Sequence, residues 1–248
     1  MPSSIRRDIG QLLIGSPPGT TITSELRSLV REFQLGGITL FDRNIEGPEQ
    51  VAEFVHDLQQ LSTGLPMWMA VDQEGGRVAR LKAPFTKWPP MATLGRSGDV
   101  ALASRFAVAL ASEMRSVGIN LDYAPVLDIL TNPKNPVIGD RALAETADDV
   151  ARLGAAIVKG LQDNGIAACG KHFPGHGDTS VDSHHGLPII EHPPDRIRRV
   201  ELIPFREAIK AGVATMMTAH VLVPSIDEDK PATLSRRIAY DMLRDELG

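Results

Sequence analysis

The chain has 248 residues, a formal net charge of −5 and a single cysteine, Cys169. Acidic and basic residues are interspersed, which leaves no basic face for nucleic acid. No apolar run approaches the ~20 residues that span a bilayer, the N-terminus has no apolar signal core, and one cysteine excludes an internal disulfide. The composition therefore implies a soluble cytoplasmic protein with no membrane or nucleic-acid partner, of a length that α/β barrels commonly reach as one domain.

Residues 11–15 are a short apolar run ending at Gly-Ser-Pro-Pro and predict a first strand. Ser24 is placed to cap a helix whose Leu26, Leu29, Val30 and Phe33 share one face, and Gly36-Gly37 is expected to end it. Residues 38–41 predict a buried strand, and Pro48 opens a helix with Val51, Phe54, Val55 and Leu58 inward. Residues 67–71 form a third strand leading into Asp72-Gln-Glu-Gly-Gly-Arg77. Residues 82–97, with Pro84, Pro89 and Pro90, read as irregular, and Trp88 as a loop-packing aromatic. From Asp99 a helix carries Leu102, Phe106, Leu110, Met114 and Val117 inward and stops at Gly118.

Residues 119–130 contain a fourth strand and its loop, with Asp122 and Asp128, and Gly139-Asp140-Arg141 lies on the next loop. A helix with Val150, Leu153, Ile157 and Leu161 inward ends at Asn164-Gly165. A fifth strand over 166–169 feeds a loop rich in histidine, and residues 194–211 predict one charged amphipathic helix stopped by Gly212. A sixth strand covers 213–221, and Ser235 caps a last helix with Ile238, Met242, Leu243 and Leu247 inward.

Strands alternating with helices imply a parallel sheet covered by helices. A doubly wound sheet would carry a glycine-rich phosphate turn after its first strand, but Gly15-Ser-Pro-Pro-Gly19 puts two prolines where free N–H donors are wanted. In a (β/α)₈ barrel, polar residues gather at the carboxyl ends of several strands. Asp72, Asp128, Lys171-His172 and His220 all follow apolar strand runs. The expected fold is therefore α/β, of the (β/α)₈ TIM-barrel type. Gly37-Ile38, Gly118-Ile119, Gly165-Ile166 and Gly212-Val213 repeat one junction, helix stop followed by β-branched strand start. The pattern counts about six of eight units, so residues 1–248 are expected to be a single barrel domain that is incomplete at its C-terminal side.

Residues 170–188 hold four of the seven histidines, His172, His176, His184 and His185, with Lys171, Asp178 and Asp182. The glycines and prolines here rule out long regular structure. Three readings are open. His172 and His176 have an H-x₃-H spacing and zinc accepts His and Asp, but Pro174-Gly175 between them prevents the helix that would put both on one face. A polar loop could satisfy its own hydrogen bonds. Finally, Asp182 and His184 are two apart, project to one side of an extended segment, and pair a carboxylate with an imidazole suited to general acid–base work. Lys171 and His172, at a strand end, can donate to hydroxyls. Asp72 with Arg77 and Arg80 reads either as a salt-bridged loop or as a bidentate acceptor for sugar hydroxyls.

The segments Val-Asp72-Gln-Glu-Gly-Gly-Arg-Val-Ala-Arg80, Tyr123-Ala-Pro-Val-Leu-Asp128, Gly139-Asp-Arg-Ala142, Gly170-Lys-His-Phe-Pro-Gly-His-Gly-Asp-Thr179, Val181-Asp-Ser-His184 and Thr218-Ala-His-Val221 resemble, in order, the catalytic domain of glycoside hydrolase family 3. The nearest branch is the bacterial β-N-acetylglucosaminidases of peptidoglycan recycling. The resemblance implies that Asp72, Arg80, Arg141, Lys171 and His172 hold a non-reducing N-acetylglucosamine. It implies that His184 is the acid–base and Asp182 its partner, and that no metal or organic cofactor is used. His176 and Asp178 match loop residues expected to be structural. The resemblance also implies a nucleophilic aspartate in a Ser-Asp-Asp-type motif just after strand seven. No residue of this chain matches it, since Asp227 and Asp229 lie in a stretch resembling the family's Pro-x-x-Asp-x-x-x-Pro-Ala-Thr.

The expected function is therefore retaining hydrolysis of terminal β-linked N-acetylglucosamine from muropeptides or related oligosaccharides. A non-catalytic sugar-binding fragment, an N-acetylglucosaminide phosphorylase and a metal-dependent hydrolase are the competing readings.

Overall fold

The computed structural model describes residues 5–182 and 186–248. Six strands form one parallel sheet in the order β1 (Ile14–Gly15), β2 (Gly37–Leu40), β3 (Trp68–Val71), β6 (Leu121–Asp122), β7 (Ala167–Phe173) and β8 (Thr215–Thr218). Between β3 and β6 a small antiparallel hairpin, β4 (Gln73–Gly75) and β5 (Val78–Ala79), rises from the end of β3. The parallel strands are strictly sequential, so the sheet has no switch point, and β1 sits at its edge. A doubly wound sheet reverses its strand order at a switch point, whereas the strands of a (β/α) barrel follow one another in sequence.

The helices follow from the apolar spacing. In α3 (Pro48–Gln59) the buried residues are Val51, Phe54, Val55 and Leu58, and Pro48 occupies the first turn where its missing N–H costs nothing. In α5 (Val100–Ser116), Asp99 caps by accepting from the N–H groups of Ala101 and Leu102. Phe106, Leu110 and Met114 are buried in it, whereas Leu102, expected inward, is exposed. In α6 (Ala147–Gln162), all four predicted inward residues are buried. Trp88 packs edge-on against Phe106 at 5.0 Å and donates to Glu113, which is a loop-packing role.

The recurring glycine junction has a common geometry at three sites. Gly118, Gly165 and Gly212 have φ of +79°, +80° and +80°, the left-handed conformation that only glycine adopts without strain. The N–H of the next residue then reaches back to a helix carbonyl, as in Ile119 to Met114, Ile166 to Leu161 and Val213 to Ala208. This is the Schellman arrangement, which satisfies orphan carbonyls and turns the chain into the next strand. The Gly36-Gly37 junction differs. There α2 (Ser24–Phe33) is capped at its start by Thr23 rather than Ser24, and Gln34 takes the left-handed position. Gly36 is needed instead for close approach, because a Cβ there would lie 2.2 Å from the Gln11 carbonyl oxygen.

Other expectations are corrected. Residues 5–11 form a helix, α1 (Ile5–Gln11), which leaves only Ile14–Gly15 for the first strand. Its single buried residue is Gly10, so no apolar stripe announced it. A short helix α4 (Met91–Ser97) lies within the stretch read as irregular. The helix predicted over 194–211 is two, α7 (Pro194–Arg199) and α8 (Ile203–Lys210), with Pro204 in the first turn of the second. The last helix is π-helical over Arg237–Glu246, and Ser235 accepts from the Ile238 N–H at its start. Finally, β7 continues through Lys171 and His172 instead of ending at Cys169. Among the described residues no helix is long and apolar enough to cross a membrane.

Candidate active site

A cleft of about 540 Å³ opens at the carboxyl ends of the strands. All five residues expected to hold a sugar, Asp72, Arg80, Arg141, Lys171 and His172, line it. The end of β7 explains how two neighbours can both do so. The register against β8 pairs Lys171 with Met217 but Phe173 with Thr218, an irregularity at His172. Such a bulge re-aims a side chain, so Lys171 and His172 both face the cleft instead of alternating across the sheet.

The floor is an ion-pair network. Lys171 is buried, and its Nζ donates to Asp72 Oδ1 at 2.9 Å and pairs with Glu74 Oε1 at 2.6 Å. Arg141 grips Glu74 with both arms, Nε and Nη2, each at 2.8 Å. Burial opposes ionisation of Glu74, but the Lys171 charge and the Arg141 guanidinium outweigh it and hold the carboxyl at about 2. Burial likewise works against the Lys171 ammonium, and Glu74 and Asp72 more than compensate, raising its pKa. Beneath them lies Asp122, fully buried, with Oδ1 accepting from the Gln73 N–H at 2.9 Å and Oδ2 without a hydrogen-bond partner among the described residues. Burial, with repulsion from Asp72 and Glu74, pushes its pKa well above the usual range. Asp122 is thus the carboxyl of the group whose surroundings most oppose ionisation.

His172 is oriented by Asp128. Asp128 is fully buried and receives His172 Nδ1 at 2.6 Å on one oxygen and the His176 N–H at 2.7 Å on the other. Burial would raise the Asp128 pKa, but the His172 and His176 contacts lower it, so it stays a carboxylate and Nδ1 carries the proton. The other ring nitrogen, Nε2, is 3.4 Å from Arg141 Nη2, which can only donate. Nε2 is therefore assigned as the acceptor. Asp128→Asn should switch this tautomer, because an amide nitrogen facing Nδ1 must donate to it. Nitrogen-15 NMR of His172 should show Nδ1 unprotonated in the variant, with a stability loss of about 1–3 kcal/mol. A ring still protonated at Nδ1 would contradict the assignment.

Arg80 is held more loosely. Its guanidinium lies 3.7 Å from Asp72 and 3.9 Å from Asp42 and stacks over Phe41 at 5.9 Å. That leaves its donors available to a ligand. Arg77 does not pair with Asp72. It reaches Asp140 and the Val137 and Ile138 carbonyls, tying the β4–β5 hairpin to the loop that carries Arg141.

The proposed acid–base pair is not brought into view in the same way. Asp182 is not among the residues lining the cleft, and its carbonyl accepts from the Gly186 N–H at 3.1 Å. His184 lies outside the described residues. His172 and His176 have ring centroids 6.0 Å apart, and no group of three or more His, Cys, Asp or Glu among the described residues is placed to hold a metal ion.

Sequence reasoning missed Glu74 and gave Asp128 no role. For Glu74 a signal existed: it stands two residues beyond Asp72 in the acidic run that leaves the third strand. Tyr123 and Thr39, whose hydroxyls are 2.9 Å apart on the cleft wall, were likewise not singled out.

The sequential parallel sheet with its polar cleft at the carboxyl ends puts the chain among (β/α) barrel domains. More particularly, it matches the glycosyl hydrolase family 3 N-terminal domain over residues 4–248 and belongs to that family. It is 41% identical to β-hexosaminidase A of Pseudoalteromonas piscicida over 92% of this chain and 42% of that protein. A family 3 β-N-acetylglucosaminidase from Paenibacillus sp. str. FPU-7 superposes with a TM-score of 0.96 at 47% identity, covering 99% of this chain and 48% of that one. NagZ from Neisseria gonorrhoeae, solved in complex with N-trifluoroacetyl-D-glucosamine, gives 0.91 at 36% identity, covering 95% and 71%. The chain thus spans about half the length of the first two of these relatives.

Proposed function

We propose that the protein is a β-N-acetylhexosaminidase that releases terminal, non-reducing β-linked N-acetylglucosamine with retention of configuration. The observation that carries this reading is the convergence of Asp72, Arg80, Arg141, Lys171 and His172 on one cleft. Asp72 supplies acceptor oxygens, Arg80 and Arg141 supply planar donors, and Lys171 and Asp128 fix the orientation of Asp72 and His172. The curated and structural relatives carrying β-hexosaminidase or β-N-acetylglucosaminidase names support the substrate class.

In this reading His184, oriented by Asp182, protonates the glycosidic oxygen and then deprotonates the attacking water. A carboxylate on the opposite side of the anomeric carbon forms the glycosyl-enzyme. We assign that carboxylate to the part of the relatives' length that these 248 residues do not span. No metal or organic cofactor enters the chemistry. The substrate would be a muropeptide or a related oligosaccharide met in the cytoplasm.

The test is turnover of an aryl β-N-acetylglucosaminide by the full-length protein, with proton NMR following the first-formed sugar. The expected result is saturable release with the β-anomer appearing first. No turnover, or the α-anomer first, would overturn the proposal.

A further inference from the structure

The loop that carries Asp182 leaves and rejoins the barrel on two separately fastened limbs. The outgoing limb is tied to the loop after β6. Asn135 donates to the His176 carbonyl at 2.8 Å, Asn132 to the Thr179 carbonyl at 3.2 Å, and Thr131 Oγ1 to Asp178 Oδ1 at 2.8 Å. The returning limb is tied to the segment after β8. Ile190 N–H donates to Leu222, Leu222 N–H donates to Pro188, and Ser225 Oγ donates to the His192 carbonyl at 2.6 Å. These are different parts of the scaffold, and neither set fixes the distance between the limbs.

Among the described residues, one polar side-chain contact crosses the neck. His192 Nε2 lies 2.8 Å from Asp178 Oδ2, both side chains being partly exposed. The approach is off the hydrogen-bond direction. Glu191 shares the hollow beside this contact, and buried Glu201, which Arg196 approaches at 3.1 Å, feels both His192 and Asp178.

We propose that Asp178 and His192 are positioning residues whose side-chain contact clasps the neck of this loop and sets the place of Asp182 relative to the cleft. The inference rests on the reading above that Asp182 belongs to the acid–base pair. It gives Asp178, which the family resemblance left as structural, a specific task, and it brings in His192, which no motif marked.

The test uses the full-length protein with Asp178→Asn, His192→Gln and the exchanged pair Asp178→His/His192→Asp. Each single variant should lower kcat on the aryl β-N-acetylglucosaminide by about 5-fold, as the loss of one partly exposed polar contact implies, with KM nearly unchanged. Amide hydrogen exchange in residues 179–182 and 186–192 should speed up in the single variants. The exchanged pair should recover both readouts. Wild-type kcat and exchange in the single variants would overturn the clasp, as would an exchanged pair that recovers neither. No turnover by the unsubstituted protein would overturn the glycosidase reading alone, and the exchange measurements would still decide the clasp.

Discussion

Lys171→Met should cost the fold about 3–5 kcal/mol in urea unfolding at neutral pH. The substitution keeps the length of the side chain and its apolar stem. It removes the cation that Asp72 and Glu74 share at 2.9 and 2.6 Å in a buried setting. Glu74 keeps Arg141, but its burial is then half compensated. The pH dependence gives a second reading of the same event. In the wild type the Glu74 carboxyl is held at about 2, below its unfolded value. Its contribution is therefore present above the ordinary glutamate range and is lost as pH falls toward 2, an effect of roughly 3 kcal/mol. In Lys171→Met burial dominates and the folded pKa rises. The variant should then gain stability relative to the wild type on going from neutral to acidic pH. A Lys171→Met/Glu74→Gln double variant should recover part of the loss. A single variant as stable as the wild type, with an unchanged acid limb, would show that the network does not hold the cleft floor.

The second large effect concerns the loop. On the proposed reading, Asp182→Ala and His184→Ala in the full-length protein should lower kcat/KM on a substrate with a poor leaving group by roughly 10²–10⁴. The loss should depend on the aglycone. A phenol of low pKa departs without a proton, so glycosylation of the enzyme by such a substrate hardly needs the acid. Water still needs a base to release the sugar, and glycosyl-enzyme should accumulate. A fast burst followed by slow steady-state release is thus expected with a dinitrophenyl glycoside and no burst with an unactivated one. Equal losses on both substrates would locate the defect elsewhere than proton transfer.

The barrel was legible in the sequence for a local reason. The Gly118, Gly165 and Gly212 junctions are set by neighbouring residues within one turn, so their spacing carries the repeat directly. Helix α3 and helix α6 were equally plain, because burial on one face leaves a 3.6-residue trace. Helix α1 left none, since it docks through the bare backbone of Gly10. The break between α7 and α8 was hidden because Pro204 can stand inside a first turn as well as end a helix. Among the cleft residues, motif resemblance picked out those that face the cavity. It did not say which charges meet. Lys171 and Asp72 are 99 residues apart, and His172 and Asp128 are 44 apart. Those pairings are fixed by strand order and by the irregular register at His172, which no local pattern encodes. The same limit applied to His192, whose partner stands across a loop neck.

Asp122 carries a consequence for what the cleft can select. With burial set against the charge of that acid, the carboxylates of Asp72, Glu74 and Asp128 stand against the cations of Arg80, Arg141 and Lys171, three of each. Most of the pocket's charges are counter-ions to one another, and Arg80 is the cation held most loosely. What it offers a visitor is a set of fixed donor and acceptor directions in a medium of low polarisability. Such a cavity sorts uncharged polyols by the handedness of their hydroxyls, and a phosphate or carboxylate entering it would find Lys171 and Arg141 already engaged and only the loosely held Arg80 to meet it.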